Sequence, residues 1–206
     1  MADRGAAPDN SEEAFSEHGV QRRLGGLPLL LLSTLALTFS VYQLVVAAFH
    51  PLSSLVTRAL HVGFLLALTF ILYPAYKQHG AKLTRVSIID AVLAVTAFGL
   101  STYQWFFEGD LIQRAGDPTT LDLWVGAVMV VLVFEAARRI LGVALPLVCG
   151  IFLLYGLFGQ YLPGDLAHRG YAFSQIVDQL GFGTEGIFGI PTLVSATYIF
   201  LFILFG

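Results

Sequence analysis

Charged residues that interrupt the long apolar segments of this chain are the first candidates for chemistry. The stretch FEAARRILGVALPL, residues 134–147, places Glu135, Arg138 and Arg139 between two apolar runs. On a helix either arginine can pair with Glu135, because side chains three and four residues apart are neighbours. Ionisable residues within a membrane commonly serve transport or proton transfer, whereas arginines at a helix end reach the lipid headgroups. The stretch is therefore either a functional site or an anchored turn.

The neighbouring residues favour the anchored turn. The two arginines fall in the last turn of a predicted helix, where cations complement the C-terminal dipole. Gly142 follows where it can end that helix, and Pro146 falls in the first turn of the next one. Asp90 lies near the start of another predicted helix, where the N-terminal dipole favours a negative charge. We predict structural anchoring roles, and no catalytic roles, for Glu135, Arg138, Arg139, Gly142 and Asp90.

Two other patterns are typical of cofactor sites. His50 and His61 end and begin neighbouring predicted helices, and two imidazoles from adjacent helices can hold a haem iron. The sequence has no second pair of histidines placed to relay electrons across a membrane, so haem ligation is kept only as an unfavoured alternative. GFGTEG, residues 181–186, matches G-x-G-x-x-G, but no acidic residue follows it to hold a ribose. We interpret these glycines as a tight turn before the last helix.

Sequence motifs for catalysis are missing. The chain has no G-x-S-x-G elbow, no H-E-x-x-H pair and no phosphate-binding loop. Its one cysteine, Cys149, rules out an intrachain disulfide, and the apolar neighbours predict a buried, unreactive thiol. We therefore predict that the protein is not an enzyme, binds no metal or cofactor in this portion and has no nucleic-acid partner.

The composition is that of a membrane protein. Hydrophobic residues make up 56% of the 206 residues, charged residues make up 12%, and the mean hydropathy is +0.76. Residues 1–26 are polar with few large apolar side chains, which predicts a disordered cytoplasmic tail. The rest predicts an all-α, polytopic helical membrane protein with about six transmembrane helices. The predicted spans are residues 27–49, 57–76, 86–107, 119–140, 143–162 and 191–206.

Local signals refine the second half of the chain. Asp117 and Pro118 offer an N-cap and a first-turn proline for the fourth span. Residues 163–190 are predicted to lie at the membrane interface, with SQIVDQLG as a short amphipathic helix between Ser174 and Gly181. The sixth span is short and runs into Gly206, so we expect a truncated helix and a fragment of a longer protein.

The positions of lysine and arginine orient the predicted bundle. With a cytoplasmic N-terminus, eight of the 11 fall inside and three fall outside, in agreement with the positive-inside rule. The inside set is Arg4, Arg22, Arg23, Lys77, Lys82, Arg85, Arg138 and Arg139, and the outside set is Arg58, Arg114 and Arg169. We predict a multi-pass membrane protein with its N-terminus in the cytoplasm.

Three segments carry a resemblance to a transporter family. In chain order they are EAARRILGVALPLVCGIFLLYGLFGQYLPG, HRGYAFSQIVDQL and TEGIFGIPTLVSATYIFLFILFG. From residue 58 onward, and most strongly from Glu135, the chain resembles the fused permeases of tripartite ATP-independent periplasmic (TRAP) transporters of the TAXI type. In that family a small four-helix membrane domain is joined to a large permease domain.

The resemblance implies both a domain division and a function. Residues 27–141 would form the small scaffold domain, and residues 142–206 would begin the large domain. The chain would belong to a secondary solute-uptake system of a bacterial inner membrane, driven by sodium or protons. Its partners would be a periplasmic solute-binding protein, the remainder of the large domain and membrane lipid. Substrate and ion sites of such carriers lie in re-entrant or broken helices, expected here beyond Gly206, so this portion alone is not expected to transport. A freestanding scaffold or assembly subunit is the alternative.

Overall fold

The computed structural model describes residues 21–22, 24–50, 52–75 and 86–206. All regular secondary structure in these residues is helical. The helices are α1 (Leu27–Phe49), α2 (Ser54–Leu72), α3 (Ile88–Phe106), α4 (Glu108–Gln113), α5 (Thr120–Leu141), α6 (Ala144–Phe158), α7 (Phe173–Gly181) and α8 (Ile190–Phe205). Short 3₁₀ turns, Gly159–Tyr161 and Gly164–Leu166, follow α6.

Four helices are long and apolar enough to cross a membrane. They are α1, α2, α5 and α6 with its first 3₁₀ turn. The predicted fold class, an all-α helical membrane protein, is therefore confirmed. The helix α3 is as long as α2, at 19 residues, but it carries Asp90 and Gln104 near its two ends. The helix α8 is apolar but shorter. The count of six spans stays a prediction.

Capping side chains explain where two helices begin. The Ser53 hydroxyl accepts a hydrogen bond from the Val56 amide, so α2 begins three residues before the predicted span. At α5 the Thr119 hydroxyl accepts from the Asp122 amide while the Asp122 carboxylate accepts from the Thr119 amide. This reciprocal capping box corrects the prediction that Asp117 and Pro118 start the helix.

The helix α2 is at the centre of the described bundle. It packs against α1, α3, α5 and α8, and its most extensive contact is with α3. Small side chains bring α2 and α3 close together: a Cβ atom at Gly63 would lie 2.6 Å from the Cβ of Ser101. The buried apolar core is shared by α2, α3, α5 and Phe188, which precedes α8.

The helix α7 packs against α5. Val177 and Phe182 are buried at this contact. A Cβ atom at Gly181 would lie 2.9 Å from the Cα of Gly126, so the two backbones touch. The short amphipathic helix predicted between Ser174 and Gly181 is present, but it begins one residue earlier and the Gln175 side chain accepts from the Ala172 amide at its start. The membrane-interface position of residues 163–190 stays a prediction.

Replacing Gly181 with alanine is expected to destabilise the protein by about 1–3 kcal/mol, because the added methyl group meets backbone that no side-chain rotation can move. The matched control is Gly99→Ala in α3, where nothing lies within 4 Å of the new Cβ. That change should be neutral or stabilising by up to about 1 kcal/mol, since alanine favours helix over glycine. Thermal unfolding in detergent compares the two variants, and equal effects would contradict the close α5–α7 contact.

The helix α6 differs from the rest of the bundle. In α6, all of whose residues the structure describes, no side chain is buried. Cys149 is exposed on this helix, which corrects the prediction of a buried thiol. Among the described residues α6 contacts mainly α5, its own 3₁₀ turn and α7. Its apolar faces are therefore left for lipid or protein to cover.

Candidate functional site

A cluster of charged side chains joins the start of α3 to the end of α5. Asp90 is 1% exposed, and its carboxylate binds two guanidinium groups, those of Arg22 and Arg139. The Arg139 Nη1 lies 2.7 Å from Asp90 Oδ1. On the same helix Arg139 Nε donates to Glu135 Oε1 at 2.8 Å, and Arg138 Nε donates to Glu135 Oε2 at 2.7 Å. A single network therefore links α3, α5 and the residues before α1.

The two arginines of α5 have different environments. The side chain of Arg139 is 1% exposed, donates to the Tyr73 carbonyl and stacks on the Phe70 ring with 4.8 Å to the ring centroid. The side chain of Arg138 is 39% exposed and also donates to the Ala75 carbonyl. Arg138 can reach headgroups, but Arg139 cannot. The expectation that both arginines extend to the membrane surface is therefore wrong for Arg139.

Arg22 is part of this cluster, although it falls in the predicted disordered tail. Its guanidinium donates to the Phe70 and Ile71 carbonyls as well as to Asp90, and its amide donates to the Leu72 carbonyl. The residue is 7% exposed. The end of the predicted tail is therefore packed on α2, while residues 1–20 and Arg23 lie outside the described part of the chain. The prediction missed Arg22 because its partners come from distant segments.

Gly142 ends α5, as its sequence position predicts. It has φ +83°, a conformation that favours glycine, and its amide donates to the Arg138 carbonyl. The next helix begins two residues later at Ala144, with Pro146 in its first turn. The chain thus reverses directly beside the charged cluster.

A second polar cluster, made of uncharged groups, lies between three helices. Gln43 of α1 and His61 of α2 are each 2% exposed. The Gln43 Nε2 lies 3.0 Å from His61 Nδ1 and 2.7 Å from the Ala196 carbonyl oxygen of α8. His61 Nε2 lies 3.1 Å from Ser195 Oγ. We name Gln43, His61, Ser195 and Ala196 the three-helix lock, because they join α1, α2 and α8.

The lock bears on the haem alternative. Both ring nitrogens of His61 are engaged by protein groups, so iron ligation would require one of these hydrogen bonds to break. His50 is exposed at the end of α1, with φ +48°. Within the described ranges no group of three or more His, Cys, Asp or Glu side chains could hold a metal ion. Haem ligation by His61 would therefore cost a hydrogen bond that joins α2 to α1 or to α8.

The opposite end of the bundle is held by polar contacts to backbone. The Gln104 amide donates to the Gly181 carbonyl, and the Asp178 carboxylate accepts from the Gly116 amide. The GFGTEG segment folds tightly here, since a Cβ at Gly186 would lie 2.4 Å from the Leu180 Cα. A cavity of about 590 Å³ lies between α6 and α7 and is bordered by Arg169 and Asp178. None of the charged-cluster residues lines this cavity.

The site therefore consists of structural polar networks that join helices. In comparisons with family models, curated proteins and solved structures, no match to this chain was found.

Proposed function

We propose that the chain is the scaffold-bearing part of a secondary, ion-gradient-driven solute permease of the TRAP type. The observation that carries the proposal is the reversal at Gly142, where α5 ends in the charged cluster and the exposed helix α6 begins. In the TRAP permeases that the chain resembles, the corresponding position joins a four-helix scaffold to a large permease domain. A rigid, ion-paired end on one side of such a join suits a scaffold against which another domain moves.

The exposure of α6 supports the same proposal. Although α6 contacts α5 and α7, none of its side chains is buried, so most of its apolar surface is available to the remainder of a large permease domain. The described cations that were predicted to be inside, Arg22, Arg138 and Arg139, meet at one end of the bundle. We take this end as cytoplasmic, in an inner membrane, in keeping with the positive-inside rule.

The remaining elements of the proposal follow from the resemblance. A periplasmic solute-binding protein delivers the solute, sodium or protons drive uptake, and the chain has no enzymatic activity of its own. The alternative is a freestanding scaffold or assembly subunit. One observation favours this alternative. Because α7 packs on α5 and α8 packs on α2, the described helices form a connected bundle, as a freestanding subunit would.

Reconstitution distinguishes the two functions. The chain would be expressed together with the remaining permease segment and the solute-binding protein encoded beside it, and radiolabelled organic acids would be offered to proteoliposomes under an imposed sodium or proton gradient. The permease proposal predicts gradient-dependent uptake that is lost when any one of the three components is omitted. Stable insertion and co-purification without uptake under either gradient would support the assembly subunit instead.

A further inference from the structure

The orientation of the Gln43 amide is fixed by the backbone of α8. Its nitrogen lies 2.7 Å from the Ala196 carbonyl oxygen, a distance that suits a donor and an acceptor but not two oxygens. The same nitrogen lies 3.0 Å from His61 Nδ1. Because the amide nitrogen has two hydrogens and no lone pair to offer, it donates to both partners.

This orientation fixes the protonation state of His61. Nδ1 accepts a hydrogen bond from Gln43, so it carries no proton, and the ring is neutral with its proton on Nε2. The Nε2–H then donates to Ser195 Oγ at 3.1 Å. The lock is therefore a directed chain of hydrogen bonds, in which the Ala196 carbonyl determines the tautomer of a histidine on another helix.

The other end of the Gln43 side chain is unsatisfied. Its Oε1 is buried and has no hydrogen-bond partner among the described residues. Rotating the amide by half a turn would therefore break no bond at Oε1. It would bring Oε1 to face His61 Nδ1, and it would also place two oxygens, Oε1 and the Ala196 carbonyl, against each other. A rotated amide would thus suit a protonated Nδ1 and would oppose the contact with α8.

Among the residues that the structure describes, no carboxylate is hydrogen-bonded to His61. The ring contacts Phe39, with 5.3 Å between ring centroids, and its hydrogen-bond partners are uncharged. Arg58, one turn away on α2, is engaged with the Phe188 carbonyl and Ser54. The ionisable side chains of the helices that pack on α2 are Tyr42, Asp90, Tyr103, Asp122, Glu135, Arg138, Arg139 and Tyr198, and no hydrogen bond or ring contact joins any of them to His61. An imidazolium here needs the Gln43 oxygen.

The part of α8 that closes the lock is irregular. Ser195–Ile199 forms a π-helical turn within α8, and such turns are rare and concentrate at functional sites. A cavity of about 390 Å³ lies next to it, bordered by Val46 of α1, Thr57 of α2 and Ala196. The cavity leaves space between α8 and the neighbouring parts of α1 and α2, into which the irregular turn can shift.

We propose that His61 is a proton-binding site that controls the attachment of α8 to α1 and α2. Binding of a proton at Nδ1 turns the Gln43 amide, replaces the bond to the Ala196 carbonyl by a repulsive contact between oxygens and moves α8 away from α1. Ser195 Oγ continues to accept from Nε2–H in both states. The site is independent of the proposed transport function and of the ion that drives it.

Histidine-selective ¹⁵N NMR of the protein in lipid nanodiscs tests the first step. At neutral pH the His61 resonances are expected to show a bare Nδ1 and a protonated Nε2. Gln43→Leu removes the donor and should abolish this tautomer preference, whereas His50→Gln should leave it unchanged. A proton on Nδ1 at neutral pH in the unchanged protein would overturn the proposal.

Distance measurement tests the second step. Spin labels would replace Leu37 of α1 and Phe202 of α8, both exposed, in a Cys149→Ser background. On acidification the distance should lengthen by about 1–2 Å or more, the scale of helix shifts in switching proteins. His61→Gln and Gln43→Leu should remove the pH response, and Gln43→Glu, which presents oxygen to both partners, should give the longer distance already at neutral pH.

The controls separate this mechanism from general acid unfolding. His50→Gln should respond to pH as the unchanged protein does, and the elution profile of each labelled variant should stay that of the folded protein. A protonated His61 without any change in the distance would overturn the proposal. So would an equal pH response in Gln43→Leu, since that variant has no amide to rotate.

Discussion

Replacing Asp90 with asparagine is expected to lower the free energy of unfolding by about 3–5 kcal/mol, the loss found when one partner of a buried ion pair is removed. Asparagine keeps the shape but not the charge, so the guanidinium groups of Arg22 and Arg139 are left buried beside a neutral amide. The measurement is the unfolding equilibrium of the purified protein in mixed micelles, titrated with a denaturing detergent.

The expected ranking makes this result specific. Arg22→Gln should destabilise less than Asp90→Asn, because it leaves Asp90 paired with Arg139 and leaves no cation without a carboxylate. Glu185→Gln is the matched control, since Glu185 is exposed and should change stability by about 0.5 kcal/mol or less. If Asp90→Asn behaved like Glu185→Gln, the buried ion-pair network would not stabilise the bundle.

The second large effect is expected at Arg139. Arg139→Ala leaves Asp90 paired with Arg22, but it removes the bonds to Glu135 and the Tyr73 carbonyl and leaves a cavity against the Phe70 ring. The expected cost is about 3–5 kcal/mol, as for other large buried side chains that are truncated to alanine. Arg138→Ala affects a side chain that is 39% exposed, so the expected loss is about 1 kcal/mol or less. Unfolding equilibria of the two variants give the comparison, and a cysteine-accessibility assay in intact cells reports whether the topology changes.

The adjacent pair serves as its own control, because both changes remove one arginine from the same helical turn. If the arginines only contributed positive charge to the cytoplasmic side, the two substitutions would affect topology equally. The structure predicts a clear difference in stability, with Arg139→Ala the more harmful change. Equal destabilisation by the two would contradict the separate environments of these arginines.

Most of the helices could be predicted from the sequence, because the apolar run that forms a helix and the turn residues that end it are neighbours along the chain. The span 27–49 coincides with α1, and Gly142 ends α5 as its position indicates. The N-cap of α5 was placed two residues early, since Asp117 is a good capping residue by type but Thr119 makes the capping box. A choice between two capping residues depends on backbone geometry that spacing does not specify.

The candidate site was predictable only within one helix. Glu135, Arg138 and Arg139 follow each other at helical spacing, so their pairing can be read from the sequence. The partners of Asp90 are 68 residues before it and 49 residues after it, and they depend on how three segments pack. Gln43 was missed for the same reason. A lone amide in an apolar span was nevertheless a signal, because a buried polar side chain needs a partner.

The exposure of α6 also determines the order in which the described protein opens. Local stability follows the burial of each segment. In detergent, the amide hydrogens of α6 should therefore exchange with water through small fluctuations, whereas those of α2 should require global unfolding. The turn at Gly142 would then separate slowly exchanging helices from a faster exchanging one. Any protein that binds α6 would lower its exchange rate first, before that of the helices behind it.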